Sequence, residues 1–237
     1  GTEVKLATDT MGFGPVVQGS RLVKSIMLSN TGDVGTKFTW TNTELAPHFS
    51  IAPSDGFISP NQDAKLSVTF HPSELSNDIR LDRVRCLIDG GQDQFLTLTG
   101  MCIAPQTEAS IVAFQTTVRN TTSKPVSVQN PTTLPWSIRP IIENDFWTGP
   151  DMLTIPAGGS ADYTVEYRPR IMAPSADPHN GSIFFPFPDG SAKLIKLQGV
   201  ADPPQAADTI TQNVPSKTSH TVLLKIHNWL NAAQRFK

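Results

Sequence analysis

Five histidines (His48, His71, His179, His220 and His227) and two cysteines (Cys86 and Cys102) are the side chains of this 237-residue chain best suited to metal or nucleophilic chemistry. None of the histidines stands at the spacing that puts two imidazoles on one metal, and no cysteine pair lies near them at zinc spacing. Carboxylates cluster at Glu143–Asp145 and at Asp78–Asp82. A pair of carboxyls could do acid–base work on a glycosidic bond, but both runs read as solvated loops. The second is interleaved with Arg80, Arg83 and Arg85. Gly158-Gly159-Ser160 leads into a strand, whereas a phosphate cradle needs a helix N-terminus behind it, so the run reads as a hairpin turn. No nucleophile elbow or phosphate-loop motif occurs. The expectation is a chain without catalysis, metal or cofactor.

What remains is contact chemistry. Arg83 and Arg85 share one face of a strand and could meet an acidic partner. In FFPFPDG (184–190) Phe184 and Phe185 point to opposite faces, so a single core cannot take both. One of them, or Phe187, is left for the next unit or a partner. Arg83, Arg85, Phe185 and Phe187 are therefore the candidate contact residues.

The elements that position these residues are strands. Leu66, Val68 and Phe70 alternate with Lys65, Ser67 and Thr69; Tyr163, Val165 and Tyr167 alternate with Asp162, Thr164 and Glu166. Val84, Cys86 and Ile88 alternate with Arg83, Arg85 and Leu87. Such runs end at Gly, Pro, Asn or Asp, the pattern of an all-β sandwich. A hairpin turning at DGGQD (89–93) places Cys86 opposite about Leu96 and Cys102 far along the other arm. That predicts two free thiols, which fits a reducing compartment.

The chain also repeats itself. FSIAPSDGFISPNQDAKLSVTFHP (49–72) aligns without a gap on FWTGPDMLTIPAGGSADYTVEYRP (146–169). Asn30 and Asn130 each end a strand, LTG (98–100) and LQG (197–199) each close a unit, and Asn228 and Phe236 open another. The asparagines are expected to bond their own turns. Pro72 and Pro169 are expected to end strands, and Gly100 and Gly199 to lie where a strand bends or another backbone approaches. Trp40 and Trp136 are expected core fillers. The organisation read from this is a sandwich over 1–104, a second over 105–203, and an incomplete third unit over 204–237 of about three strands, which cannot bury both faces and so would be poorly ordered alone or lean on the second unit. Proline-bearing linkers at 101–110 and 200–209 would make a semi-rigid rod.

Composition narrows the partners. Nineteen basic and 21 acidic residues give a net charge of −2, so nucleic acid is excluded as a partner. No apolar run approaches the ~18 residues of a membrane span, so no membrane contact is expected. No signal-peptide pattern opens the chain, and the sequons at Asn120 and Asn180 read as unused. The opening Gly1-Thr2, without Met, reads as part of something longer.

The motifs IMLSN, KFTW, IAPSDG, VTFHP and LTG resemble those of the ASH domain family, immunoglobulin-like relatives of the major sperm protein fold. The second unit departs from them, with Leu153 where Gly56 stands and YRP in place of FHP. It is most similar to repeats of the very large ciliary members. The resemblance implies a structural scaffold in the cytoplasm and the axoneme of motile cilia or flagella. It would serve the central pair apparatus by docking other central-pair proteins, tubulin or neighbouring repeats of the same chain. Rival expectations are a soluble peptide- or lipid-binding module of the sperm-protein kind, a carbohydrate-active sandwich and a secreted adhesin.

Overall fold

The computed structural model describes every residue except 207, 229–231, 236 and 237. The first sandwich is built from β1 (Val4–Leu6), β2 (Thr10–Val17), β3 (Leu22–Asn30), β4 (Thr36–Trp40), a helical turn α1 (Asn42–Leu45), β5 (Phe49–Ala52), β6 (Asp55–Ile58), β7 (Gln62–Phe70), β8 (Ser76–Ile88) and β9 (Gln94–Ile103). One sheet has the order β1-β3-β7-β5 and the other β2-β9-β8-β4-β6. All pairings are antiparallel except β2 with β9. The alternation read from the sequence sets the inner faces. Leu66, Val68 and Phe70 are buried against Val84, Cys86, Ile88, Leu96 and Leu98, with Trp40 among them. Burying each such side chain contributes about 1.5–3 kcal/mol.

The second sandwich has its own core, from Phe114 to Leu197. Its strands are β10 (Thr107–Thr117), β11 (Thr122–Gln129), β12 (Trp136–Ile138), β13 (Ile141–Glu143), β14 (Trp147–Thr148), β15 (Leu153–Ile155), β16 (Ser160–Tyr167), β17 (His179–Pro186) and β18 (Ala192–Asp202). The plan repeats with one substitution. Where the first unit has α1, the second has the edge strand β13, paired to β17 at Ile141↔Phe184. β12 then pairs only with β15.

Two repeated residues hold each unit closed. Asn30 is 1% exposed; its Nδ2 donates to Val34 O (2.8 Å) and Ile58 O (3.2 Å), and its Oδ1 accepts from Gly32 N (3.1 Å). Asn130 repeats this with Leu134 O (2.8 Å), Ile155 O (3.4 Å) and Thr132 N (3.0 Å). Gly100 and Gly199 face a ring, and not a backbone as their place in the strand suggests. A Cβ on Gly100 would come 2.4 Å from Phe70 Cε1, and one on Gly199 2.3 Å from Tyr167 Cζ.

The hairpin joining β8 to β9 closes one residue earlier than expected. Gly90 has φ 71°, and the register pairs Cys86 with Gln94, not with Leu96. Cys102 lies opposite Ser76, and both thiols are free and buried. Burial pushes the Cys86 thiol up to about 12, so it stays protonated and unreactive at neutral pH. The proline-bearing connections are shorter than 101–110 and 200–209. β9 runs to Ile103 and β18 to Asp202, because β2 and β10 pair alongside them to their ends.

The three strands expected after residue 203 do not form among the described residues. Strands need partners to fill their ladders, and the described residues after 203 pair with none. One trace of the repeat is present: Asn228 Nδ2 donates to Ala232 O at 2.8 Å, the bond that Asn30 makes to Val34 and Asn130 to Leu134. Phe236 lies outside the described residues.

Candidate interaction surfaces

Arg83 and Arg85 project from β8 on either side of Phe95. Arg85 is the cross-strand partner of Phe95, and the Arg83 guanidinium sits 4.2 Å from its ring centroid. Arg83 takes φ 53° at a bulge between Leu81 and Val84. Asp93 neutralises Arg85: Arg85 Nε donates to its Oδ2 at 2.7 Å, and the guanidinium beside Asp93 holds that carboxyl below its ordinary range. Among the described residues the Arg83 guanidinium has no ion-pair partner and stacks on a ring.

The phenylalanines sort differently from the expectation. Phe185 is fully buried, edge-on to Tyr163 at 5.5 Å. Phe187 is buried and stacked on Trp136 at 4.8 Å. Both belong to the second core; Phe185 is closed off, while the edge of Phe187 lines the hollow between the units. The outward residue is Phe184, whose ring rests over Gly19 of the first unit, 3.5 Å from where a Cβ would stand. β17 decides this by parity, since Ile183 and Phe185 face inward.

That contact belongs to a joint between the units. Val17 N donates to Gly190 O at 2.9 Å. The buried Ser20 hydroxyl is shared between Phe187 O (3.2 Å) and Ser191 O (3.0 Å), and Leu22 makes a β-bridge to Asp189. Gly190 has φ 86°, a left-handed conformation that glycine adopts without strain, and an added Cβ would stand 3.1 Å from Val16. The β17–β18 turn of one unit thus continues the edge of β3 in the other. Ser20→Val is expected to free this joint. Each unit should keep its own melting transition, while the NMR alignment tensors of the two units, equal in the wild type, become different.

On the opposite edge of the second sandwich, β11 has no partner like β1. In the first unit, Ala7 N donates to Met27 O at 3.0 Å. In the second, the Lys193 ammonium takes that role, donating to Ser127 O at 3.3 Å while pairing with Glu108 at 3.0 Å. Pro125 and Pro131 offer no N–H on this strand and its exit.

One polar pair is buried in the second core without a counterpart in the first. Tyr167 stands where Phe70 does, and its hydroxyl lies 2.7 Å from His179 Nδ1. The imidazole stacks on Phe146 at 4.1 Å, and its Nε2 is buried without a partner. Burial lowers the His179 pKa, opposed by nearby Asp177, and burial raises Tyr167 to about 12. A histidine whose folded pKa lies below its unfolded value binds fewer protons when folded. Its contribution is complete above the unfolded value of about 6.5 and is lost as the pH falls through the folded one. The second unit is therefore expected to melt at lower temperature at about pH 5 than at about pH 7. In a Tyr167→Phe/His179→Phe variant, which copies the ring at Phe70, that difference should shrink.

The carboxylate clusters do not assemble a reactive pair. Asp82 binds Arg80 at 2.7 Å, and Glu143 accepts from Ser182 Oγ at 2.9 Å. Among the described residues no three His, Cys, Asp or Glu side chains gather where they could hold a metal ion, and no described helix is long and apolar enough to cross a membrane. Sequence reasoning missed Ser20 and Gly190, and of the three rings it weighed for the next unit it chose Phe185 and Phe187 where the structure uses Phe184. The one signal for the joint was a glycine in a Pro-Asp-Gly turn directly after an aromatic strand.

Two sandwiches with separate cores, repeated asparagine staples and repeated ring-on-glycine contacts define a tandem array of immunoglobulin-like domains. Residues 10–106 match the family model of the fourth Ig-like domain of CFAP65. Over 236 residues, 99% of this chain, the sequence is 38% identical to the hydrocephalus-inducing protein of Mus musculus, known as hydin, and to its Homo sapiens homolog. The chain spans 5% of the length of these relatives. Among solved structures it is similar to PapD-like domain 7 of human CEP192, an ASH domain: 19% identity, 44% of this chain and 87% of that one, TM-score 0.38. It is also similar to WR4, a C. elegans MSP family member: 11% identity, 42% of this chain and 97% of that one, TM-score 0.29.

Proposed function

We propose that this chain is a non-catalytic scaffold segment of a ciliary protein resembling hydin. In this reading it serves the central pair apparatus of motile cilia by contact with other central-pair proteins or tubulin. The observation that carries the reading is the 38% identity to hydrocephalus-inducing protein sustained over 99% of the chain. The architecture supports it: both thiols are buried, Asp82 and Glu143 bind neighbouring side chains, and hydrogen bonds between the units hold them in position. Replacing this segment in the full-length protein by a linker of equal length, in ciliated cells, is the test. Loss of one central-pair projection in electron micrographs is expected; an intact apparatus with normal beating would overturn the reading.

A second reading, a peptide-binding module, has one observation in its favour. Two arginines line a hollow at the joint. As a form of contact by a scaffold it is compatible with the first.

A further inference from the structure

The docked turn leaves a hollow of about 820 Å³ where the two sandwiches meet. Its floor is apolar and open to solvent: Val23 of the first unit is 49% exposed, and Ile141 and Met152 of the second 54% and 50%. Isolated exposed apolar residues are ordinary, but here three converge from two units on one concavity, with prolines between them. Two exposed cations, Arg21 and Arg139, line the same hollow from opposite sides of the joint, and no carboxylate lines it. Among the described residues neither is in an ion pair, unlike Arg80 and Arg85. The adjacent Asp189 carboxylate turns back to accept from Ser191 N and Oγ, and Asp151 lies beyond Met152 in a neighbouring hollow that Arg139 also lines, without an ion pair between them among the described residues.

We propose that this inter-unit hollow, with its apolar floor of Val23, Ile141 and Met152 and its unpaired Arg21 and Arg139, docks an acidic segment of a partner protein that alternates carboxylates with aliphatic side chains. Charge complementarity selects the occupant. Carboxylates meet the two guanidiniums, which favour planar, bidentate partners, and the aliphatic side chains cover the floor. A basic peptide would bring like charges together. Because the walls come from both units, the site exists only while the Ser20–Gly190 joint is closed. The proposal rests on the contact-module reading and names its chemistry, but its test needs no cilium, so the two can fail separately.

The test uses the whole 237-residue chain and two fluorescein-labelled peptides, one alternating Glu with Ile and one alternating Lys with Ile, followed by fluorescence anisotropy. The Glu/Ile peptide should bind and the Lys/Ile peptide should not. Arg21→Glu/Arg139→Glu should weaken the Glu/Ile peptide by more than about tenfold. Arg83→Glu/Arg85→Glu, the same charge change elsewhere, should leave binding within about twofold, as surface charge at a distance is screened. Ser20→Val should weaken binding although each unit keeps its melting temperature. Failure of the wild type to bind, equal binding of both peptides, or equal loss in the two charge-reversed variants would overturn the proposal. Melting curves of each variant confirm that the fold is intact.

Discussion

Replacing Gly100 or Gly199 by alanine is expected to unfold the sandwich that carries it at temperatures where the other stays folded. The new Cβ would stand 2.4 Å from Phe70 Cε1 or 2.3 Å from Tyr167 Cζ, far inside contact distance. Neither ring can retreat. Phe70 is fully buried between Phe13 (5.5 Å) and Phe49 (4.7 Å), and Tyr167 between Trp147 (4.8 Å) and Phe114 (5.7 Å). Overpacking of this kind costs about 3 kcal/mol, or roughly 15 °C in the melting temperature of a domain of this size. Calorimetry on the two-unit chain should show one transition moved and one retained. Gly12→Ala is the control, because its Cβ would meet only Thr99 Oγ1 at 3.4 Å and should shift the first transition by no more than about 0.5 kcal/mol. Pairing Gly100→Ala with Phe70→Leu should restore part of the loss. No restoration, together with a small effect of Gly100→Ala alone, would mean that the ring is not the obstacle.

Asn30→Leu and Asn130→Leu are expected to come next in size. Each asparagine is 1% exposed, and its amide joins the start of its loop to the strand that follows. Leucine has a similar volume but leaves Val34 O, Ile58 O and Gly32 N, or their counterparts in the second unit, without that partner in a dry environment. Stranding one such group costs about 1–3 kcal/mol, so about 3 kcal/mol per unit is expected by chemical denaturation with an unchanged denaturant slope. Asn130→Asp separates the donor from the acceptor. An ionised carboxylate would keep the bond from Thr132 N but face Leu134 O and Ile155 O where the amide donated. Its folded pKa would rise above the unfolded one, so any stability it supplies is present at low pH and lost as the pH rises. That is the reverse of the slope expected from His179, and a variant with the same slope as the wild type would show that the side chain does not face those carbonyls.

The strands and their inner faces could be read before any coordinates, because a buried strand writes its parity into the chain. Leu66, Val68 and Phe70 alternate with solvated residues and are buried as that requires. The repeat was equally legible, since Asn30 and Asn130 must recur wherever the same turn is closed by the same amide. The contact residues were not. Phe185 and Phe187 were singled out by type, but only the register of β17 decides that Phe184 is the ring facing out. The joint escaped for another reason: Ser20 and Val17 bind carbonyl oxygens of Phe187, Ser191 and Gly190, and a main-chain acceptor carries no side-chain signature. The Tyr167–His179 pair was hidden because the two residues lie on different strands. After residue 203 the type of segment was legible, since three strands alone cannot bury both faces, but the number of strands was not: none forms among the described residues.

The closure of β11 by Lys193, Pro125 and Pro131 bears on assembly in a chain of tandem similar domains. Tethered neighbours meet at very high local concentration, and an open ladder edge invites one domain to borrow a strand from the next, a characteristic misfolding route in such chains. The first unit blocks that route by covering the edge with its own β1. The second does so with a lysine side chain and two residues that cannot donate. On this view the lysine is a safeguard during synthesis: Lys193→Ala should leave the folded stability almost unchanged while increasing the fraction of chains that refold into swapped dimers.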